Sequence, residues 1–210
     1  DRGMCGSYNA NVLNYALSEI TKYPDSYIVS IGKMATSFFT KRGKKPNISI
    51  EGFSHLPELS DVRHIVNALM YGYDNKRIDE INVIYTHFEN ALKQHPAKIH
   101  LLPLDISDFK DVHKESHYSS SAIIAPSPKQ LFETIVPYYA VGLIFDVASQ
   151  SVTSEHCARM NAMQNATNNA DDVIEDLKIK YNTARQFSIT QQIAEISSGA
   201  AALERGEEYE

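Results

Sequence analysis

The chain has 210 residues, with 20 Lys or Arg against 26 Asp or Glu, a formal net charge of −6 and 43% apolar side chains. That length suits one domain with its own core, or one domain and an appendage, and the apolar fraction excludes a disordered chain. The sequence shows no apolar run of membrane length, its longest being Tyr138 to Phe145, and no signal peptide; its 2 cysteines, Cys5 and Cys157, exclude a disulfide framework or zinc knuckle and fit a reducing compartment.

The first two-thirds alternates helix-like and strand-like segments. It opens on Asp1 in a turn-like stretch, as a fragment lacking its own beginning would. Asn11 to Ile20 then sets Val12, Tyr15, Ala16 and Ile20 on one face at helical spacing. Tyr27 to Ile31 is β-branched and aromatic, and Gly32 ends it; Lys33 to Thr40 reads as a short helix closed near Gly43. Asn47 to Phe53 alternates apolar and polar residues, as a strand with one wet face does. Ser60 is the expected N-cap of a helix over Asp61 to Tyr71, with Val62, Ile65, Val66 and Leu69 inward. Two strand-like runs follow, Ile81 to Phe88 and Lys98 to Leu104, with Pro96 between them. This order predicts a Rossmann-like, layered α/β domain over residues 1–128 with a hairpin near its end. Residues 105–128 are rich in Ser, His, Asp and Lys and are expected to form a mobile loop.

Residues 129–210 differ in kind. Only Pro137, Gly142 and Gly199 interrupt the stretch from Lys129 to Leu203. A helix of roughly 65 residues would run about 100 Å at 1.5 Å per residue, so it is expected to project from its domain. Met160, Met163, Thr167, Ala170, Ile174, Leu177, Tyr181 and Ala184 follow a 3-4 spacing, the mark of a coiled-coil seam. A five-residue step then rotates the stripe to Ile189, Ile193, Ile196, Ala200 and Leu203. Such a helix needs a cover for its apolar stripe, and residues 1–128 offer nothing long enough. The charge is lopsided too: residues 1–128 hold 14 basic and 14 acidic side chains, whereas residues 129–210 hold 6 and 12. An acidic tail argues against nucleic acid, and the short basic run Lys41 to Lys45 reads as a solvated turn.

Two stretches carry a resemblance. Asp1 to Asn9 (DRGMCGSYN) resembles the DRGLCGxxN stretch of the gamma-subunit family of F-type ATP synthases, with Met4 and Ser7 where that family usually has Leu and Gly. Thr153 to Leu203 resembles the family's carboxy-terminal signature over some 50 residues with spacing intact. The middle, from Pro24 to Pro128, matches in layout only. The resemblance implies a rotor with no catalytic residues, no cofactor and no metal of its own, from which the family's amino-terminal helix and first strand are absent. It implies a shaft seated within alpha and beta subunits, and an α/β head near the epsilon subunit and the ring of proton-carrying membrane subunits, without membrane insertion. It also implies a peripheral place on the bacterial plasma membrane, on the cytoplasmic side, or else on the matrix side of the mitochondrial inner membrane. The matching positions make Arg185, Gln186 and Thr190 candidate contacts to beta-subunit loops.

Other motifs weigh little. The Gly3/Gly6 turn lacks the third glycine of GxGxxG and the GK[ST] of a phosphate loop. His113 and His117 would share a helical face but lack a third metal ligand, and His156 reads as a packing or surface residue. Without the resemblance, a coiled-coil adaptor with an α/β head is the alternative; an α/β enzyme would need a convergent acid–base set, which the sequence does not show.

Overall fold

The computed structural model describes residues 3–51, 57–104 and 127–207. Asp1 and Arg2, most of the expected loop over 105–128, and with it His113 and His117, lie outside the described residues. Two compact units divide the chain, Asp1–Ala162 and Met163–Glu210.

In the first unit a turn at Cys5 leads into helix α1 (Tyr8–Lys22), followed by β1 (Val29–Ile31), α2 (Lys33–Lys41), β2 (Ile48–Ile50), α3 (Leu59–Asp74), β3 (Ile81–Phe88), β4 (Gln94–Leu102) and the start of α4 (Pro128–Glu207). The expected α/β order is what the structure holds. The described strands form two separate pairs, however: β1 with β2 in parallel and β3 with β4 antiparallel.

Helix α1 packs Val12, Ala16 and Ile20 of the expected face into the core and leaves Tyr15 half-buried; it also buries Leu13 and Glu19, which the spacing did not include. Glu19 is accommodated by a cation supplied from β4: Lys98 Nζ donates to Glu19 Oε2 at 2.9 Å, and Lys22 also pairs with that carboxylate. A carboxylate with two ammonium partners can face inward, where an unpaired one could not. Lys22 and Lys98 hold the Glu19 carboxyl below the usual carboxylate range. Leu13 and Ala16 pack with Phe39 of α2, and Ile84 of β3 leans against them.

Helix α2 ends as its glycine predicts. Gly43 sits at φ +74°, with its N–H donating to the Thr40 carbonyl and the Lys44 N–H to the Phe39 carbonyl, a Schellman cap. Between α2 and the parallel strands, the hydroxyls of Ser30, Thr36 and Ser49 lie 2.9–3.3 Å apart and satisfy one another. Helix α3 begins one residue before the expected cap. The carbonyl of Glu58 accepts from the Asp61 and Val62 N–H groups, so Ser60 falls inside the first turn and caps nothing.

The larger core joins α3, β3, β4 and the root of α4, through Val62, Val66, Ile81, Leu101, Leu102, Ala140, Val141 and Ile144. Strand β4 starts four residues before the expected run and includes Pro96, paired with Thr86. A two-stranded sheet has an open edge, where the missing proline N–H is tolerated.

Helix α4 starts cleanly. Ser127 Oγ accepts from the Gln130 N–H and Pro128 takes the first helical position, where its missing N–H costs nothing. Contrary to the sequence expectation, α4 contains an 18-residue window with mean hydropathy 1.5, long and apolar enough by length and composition to cross a membrane. The same stretch supplies Ala140, Val141, Ile144 and Val147 to the protein interior, which accounts for part of its apolar character.

Candidate functional site: a bare helical flank and the joint that holds its root

Two features of α4 stand out, one in each unit. In the first unit, the helix from Gln150 to Ala162 is gripped along one side by polar contacts. Tyr8 donates its hydroxyl to the Ser151 carbonyl at 2.9 Å, and Ser151 Oγ accepts from the Thr86 N–H at 3.2 Å. Ser154, fully buried, donates to the Thr86 carbonyl at 3.5 Å. His87 Nδ1 lies 2.8 Å from Gln150 Oε1, and Gln150 in turn donates to Asp146. Further along, Asn161 donates to the Ala91 carbonyl at the hairpin tip, and Arg159 to the Gly3 carbonyl while pairing with Glu155. Gly6, at φ +57°, brings the amino-terminal turn against Ala162. The glycine turn thus braces a helix.

These contacts are directional, which suits a joint that must not twist. Burial pushes the Tyr8 phenol up to about 12. The neutral phenol is therefore favoured in the folded chain, and the stability it lends is complete below the ordinary phenol value of 10.0. That stability falls away as pH rises from there toward 12. Tyr8→Phe is expected to cost about 1 kcal/mol near neutrality and to flatten the alkaline loss of stability, as denaturant melts across that range would report.

In the second unit, every residue from Met163 to Ala200 is exposed. The expected seam residues Met163, Ala170, Ile174, Leu177, Tyr181, Ala184, Ile189, Ile193 and Ile196 all lie on this bare helix, and Met160, at the end of the first unit, is 59% exposed. Val173, Ile179 and Phe187 are exposed as well, and the 3-4 spacing does not include them. Arg185, Gln186 and Thr190 sit on the same bare stretch, where Thr190 Oγ1 donates to the Gln186 carbonyl at 2.9 Å.

The remaining chemistry is sparse. A cleft of about 580 Å³ lies between the β1–β2 pair and α3, lined mainly by apolar side chains such as Val29, Ile48, Ile50 and Ile65. Asp61, His64 and Arg77 reach it without a hydrogen bond or ion pair to one another. Among the described residues no group of three or more His, Cys, Asp or Glu side chains is placed to hold a metal ion. His156 is exposed, and Cys5 and Cys157 form no disulfide; Cys5 Sγ accepts from Asn9 Nδ2 at 3.2 Å.

The joint is what the sequence reading missed. Its one local signal was a polar pair, Ser151 and Ser154, at helical spacing on a face that Ile144 and Val147 make apolar one turn earlier.

The profile of the ATP synthase family matches residues 1–203. The ATP synthase gamma chain of Enterococcus faecalis is 37% identical over 208 residues, covering 97% of this chain and 68% of the relative. That of Exiguobacterium sibiricum is 40% identical over 205 residues, covering 96% and 70%. Among solved structures, the Euglena gracilis mitochondrial ATP synthase (OSCP/F1/c-ring, rotational state 3) aligns with TM-score 0.70 over 99% of this chain and 71% of that one, at 21% identity. The Tetrahymena thermophila mitochondrial ATP synthase (central stalk/c-ring) aligns with TM-score 0.63 over 80% and 72%, at 20% identity. At such identities the structures speak for the fold.

Proposed function

The chain belongs to the ATP synthase gamma-chain family, and from that membership we infer that it works as the rotating central stalk of the enzyme, itself non-catalytic. The observation that carries the reading is the run of exposed helix from Met163 to Ala200, which presents apolar side chains to partners. A shaft alters nucleotide affinity at a catalytic site only if it binds that site's conformations unequally. An asymmetric, acidic helix with small and flexible seam residues can contact one subunit after another without binding any of them tightly.

The neighbours assigned to it are the alpha and beta subunits around the shaft, with the epsilon subunit and the proton-carrying ring at the head. Solved relatives titled as F1/c-ring and central stalk/c-ring assemblies support this assignment. The complex is membrane-associated; bacterial relatives support a bacterial membrane, and the cytoplasmic face of the plasma membrane is the side assigned to it. In functional terms residues 1–128 form the head and residues 129–210 the shaft, whose root is fixed by the joint at Ser151. The test is co-expression with bacterial alpha and beta subunits. Co-purification with stimulated ATP hydrolysis is expected, and failure of both would overturn the reading.

Arg185, Gln186 and Thr190 are the assigned contacts to beta-subunit loops. They are exposed, and they flank the point where the apolar spacing steps by five. A hydrogen bond to a charged group contributes about 1.5–3 kcal/mol. Arg185→Ala in the assembled complex is therefore expected to slow ATP turnover by about tenfold, with Gln186→Ala milder. Unchanged turnover in both would remove these residues from the mechanism.

A further inference from the structure

We propose that His87 and His95 form a two-imidazole site for a divalent transition metal, with water completing its coordination. This site stands independently of the rotor reading. The two histidines are register partners across β3 and β4, with ring centroids 5.2 Å apart and planes inclined by 60°. Two imidazoles bound to one ion at a metal–nitrogen distance of about 2.0–2.1 Å place their ring centres about 4.5 Å apart at a right angle and about 5 Å apart at the tetrahedral angle. The observed separation is already of that size, so the rings need only reorient.

The His87 ring is also backed as a metal-ligating histidine is. Such a histidine typically gives its second ring N–H to a carbonyl or carboxylate, which fixes the tautomer and frees the other nitrogen. Here the His87 Nδ1–H faces Gln150 Oε1 at 2.8 Å. The amide cannot readily be reversed, because Gln150 Nε2 donates to Asp146 Oδ2 at 2.8 Å and the Phe88 N–H points to Gln150 Oε1 at 3.5 Å. His87 thus keeps Nε2 as its free donor, while His95 Nδ1 lies 3.9 Å from Glu89 Oε2, beyond hydrogen-bond distance, so either of its ring nitrogens is available. Tyr85 stands edge-on to His87, and the His95 side chain is 51% exposed, so an ion can reach the pair from solvent.

Imidazole donors suit copper, nickel and zinc, and the general affinity order puts copper(II) first. Bound metal would tie β3 to β4 and, through His87 and Gln150, stiffen the grip on α4. The test titrates the full chain with copper(II), following binding by equilibrium dialysis and nitrogen coupling by electron paramagnetic resonance. The wild type is expected to show two-nitrogen coupling. His87→Gln and His95→Gln should each weaken the tightest equivalent at least tenfold and remove that signature. A His113→Gln/His117→Gln variant should bind as the wild type does. Because His95 is exposed, its variant decides the matter even if His87→Gln loosens the hairpin. Wild-type binding by His95→Gln, or loss confined to the His113/His117 variant, would overturn the proposal.

Discussion

Leu177→Asp is expected to abolish recovery of the chain with alpha and beta subunits while leaving its own melting temperature within about 1–2 °C of wild type, a surface change within ±0.5 kcal/mol. Leu177 lies on the bare helix and is 57% exposed, so in the isolated chain a carboxylate there stays in water. Once a partner covers the seam, the same substitution forfeits about 1.5–3 kcal/mol of leucine burial and leaves a buried charge without a counterion. Removing one partner of a buried pair costs about 3–5 kcal/mol, and a lone carboxylate is in the same position. The two losses together exceed what a sleeve of intermittent contacts can absorb. Thr183→Asp, on the opposite flank of the same turns, is expected to cost much less. Circular-dichroism melts of the chain and affinity recovery of the complex separate the two effects. Normal assembly of Leu177→Asp would show that the 3-4 seam is not the covered face.

What the sequence made legible was whatever depends on neighbours within a few residues. The Schellman close of α2 follows from one glycine, Gly43, placed after a short amphipathic run. The uninterrupted α4 follows from the near absence of glycine and proline after Gly142, and the parallel and antiparallel pairings follow from the order of the elements. The errors share the opposite character. The burial of Glu19 on α1 depends on Lys98, 79 positions away, which no neighbouring residue announces. Pro96 was taken as a separator because an open sheet edge cannot be seen in one strand's own residues. The joint escaped entirely: its contacts link Tyr8 to Ser151 and Gly3 to Arg159, separations of 143 and 156 residues. Periodicity reports which face of a helix wants cover, and it is silent about which distant hydroxyl or carbonyl provides the grip.

Leu101→Ala should have the largest effect on the chain itself. Leu101 is 1% exposed and sits in the cluster that holds α3, β3, β4 and the root of α4 together. Truncating a buried leucine removes its transfer free energy and leaves a cavity, about 2–5 kcal/mol in all. For a chain of this size that is a fall of about 5–15 °C in melting temperature. The chain has no tryptophan and 12 tyrosines, so the near-ultraviolet tyrosine signal together with far-ultraviolet helicity serves as the readout. Ile193→Ala, on the bare helix, should leave the same melt unmoved, since no described side chain packs over it. The functional consequence follows from which residues share the cluster. Ala140, Val141 and Ile144 of α4 lose a packing partner with Leu101, so the root of the shaft is loosened along with the head. Complexes assembled with Leu101→Ala should therefore turn over ATP more slowly at elevated temperature, and recover on cooling below the lowered melt. A melt indistinguishable from wild type would mean that the head and the root of α4 do not share one core.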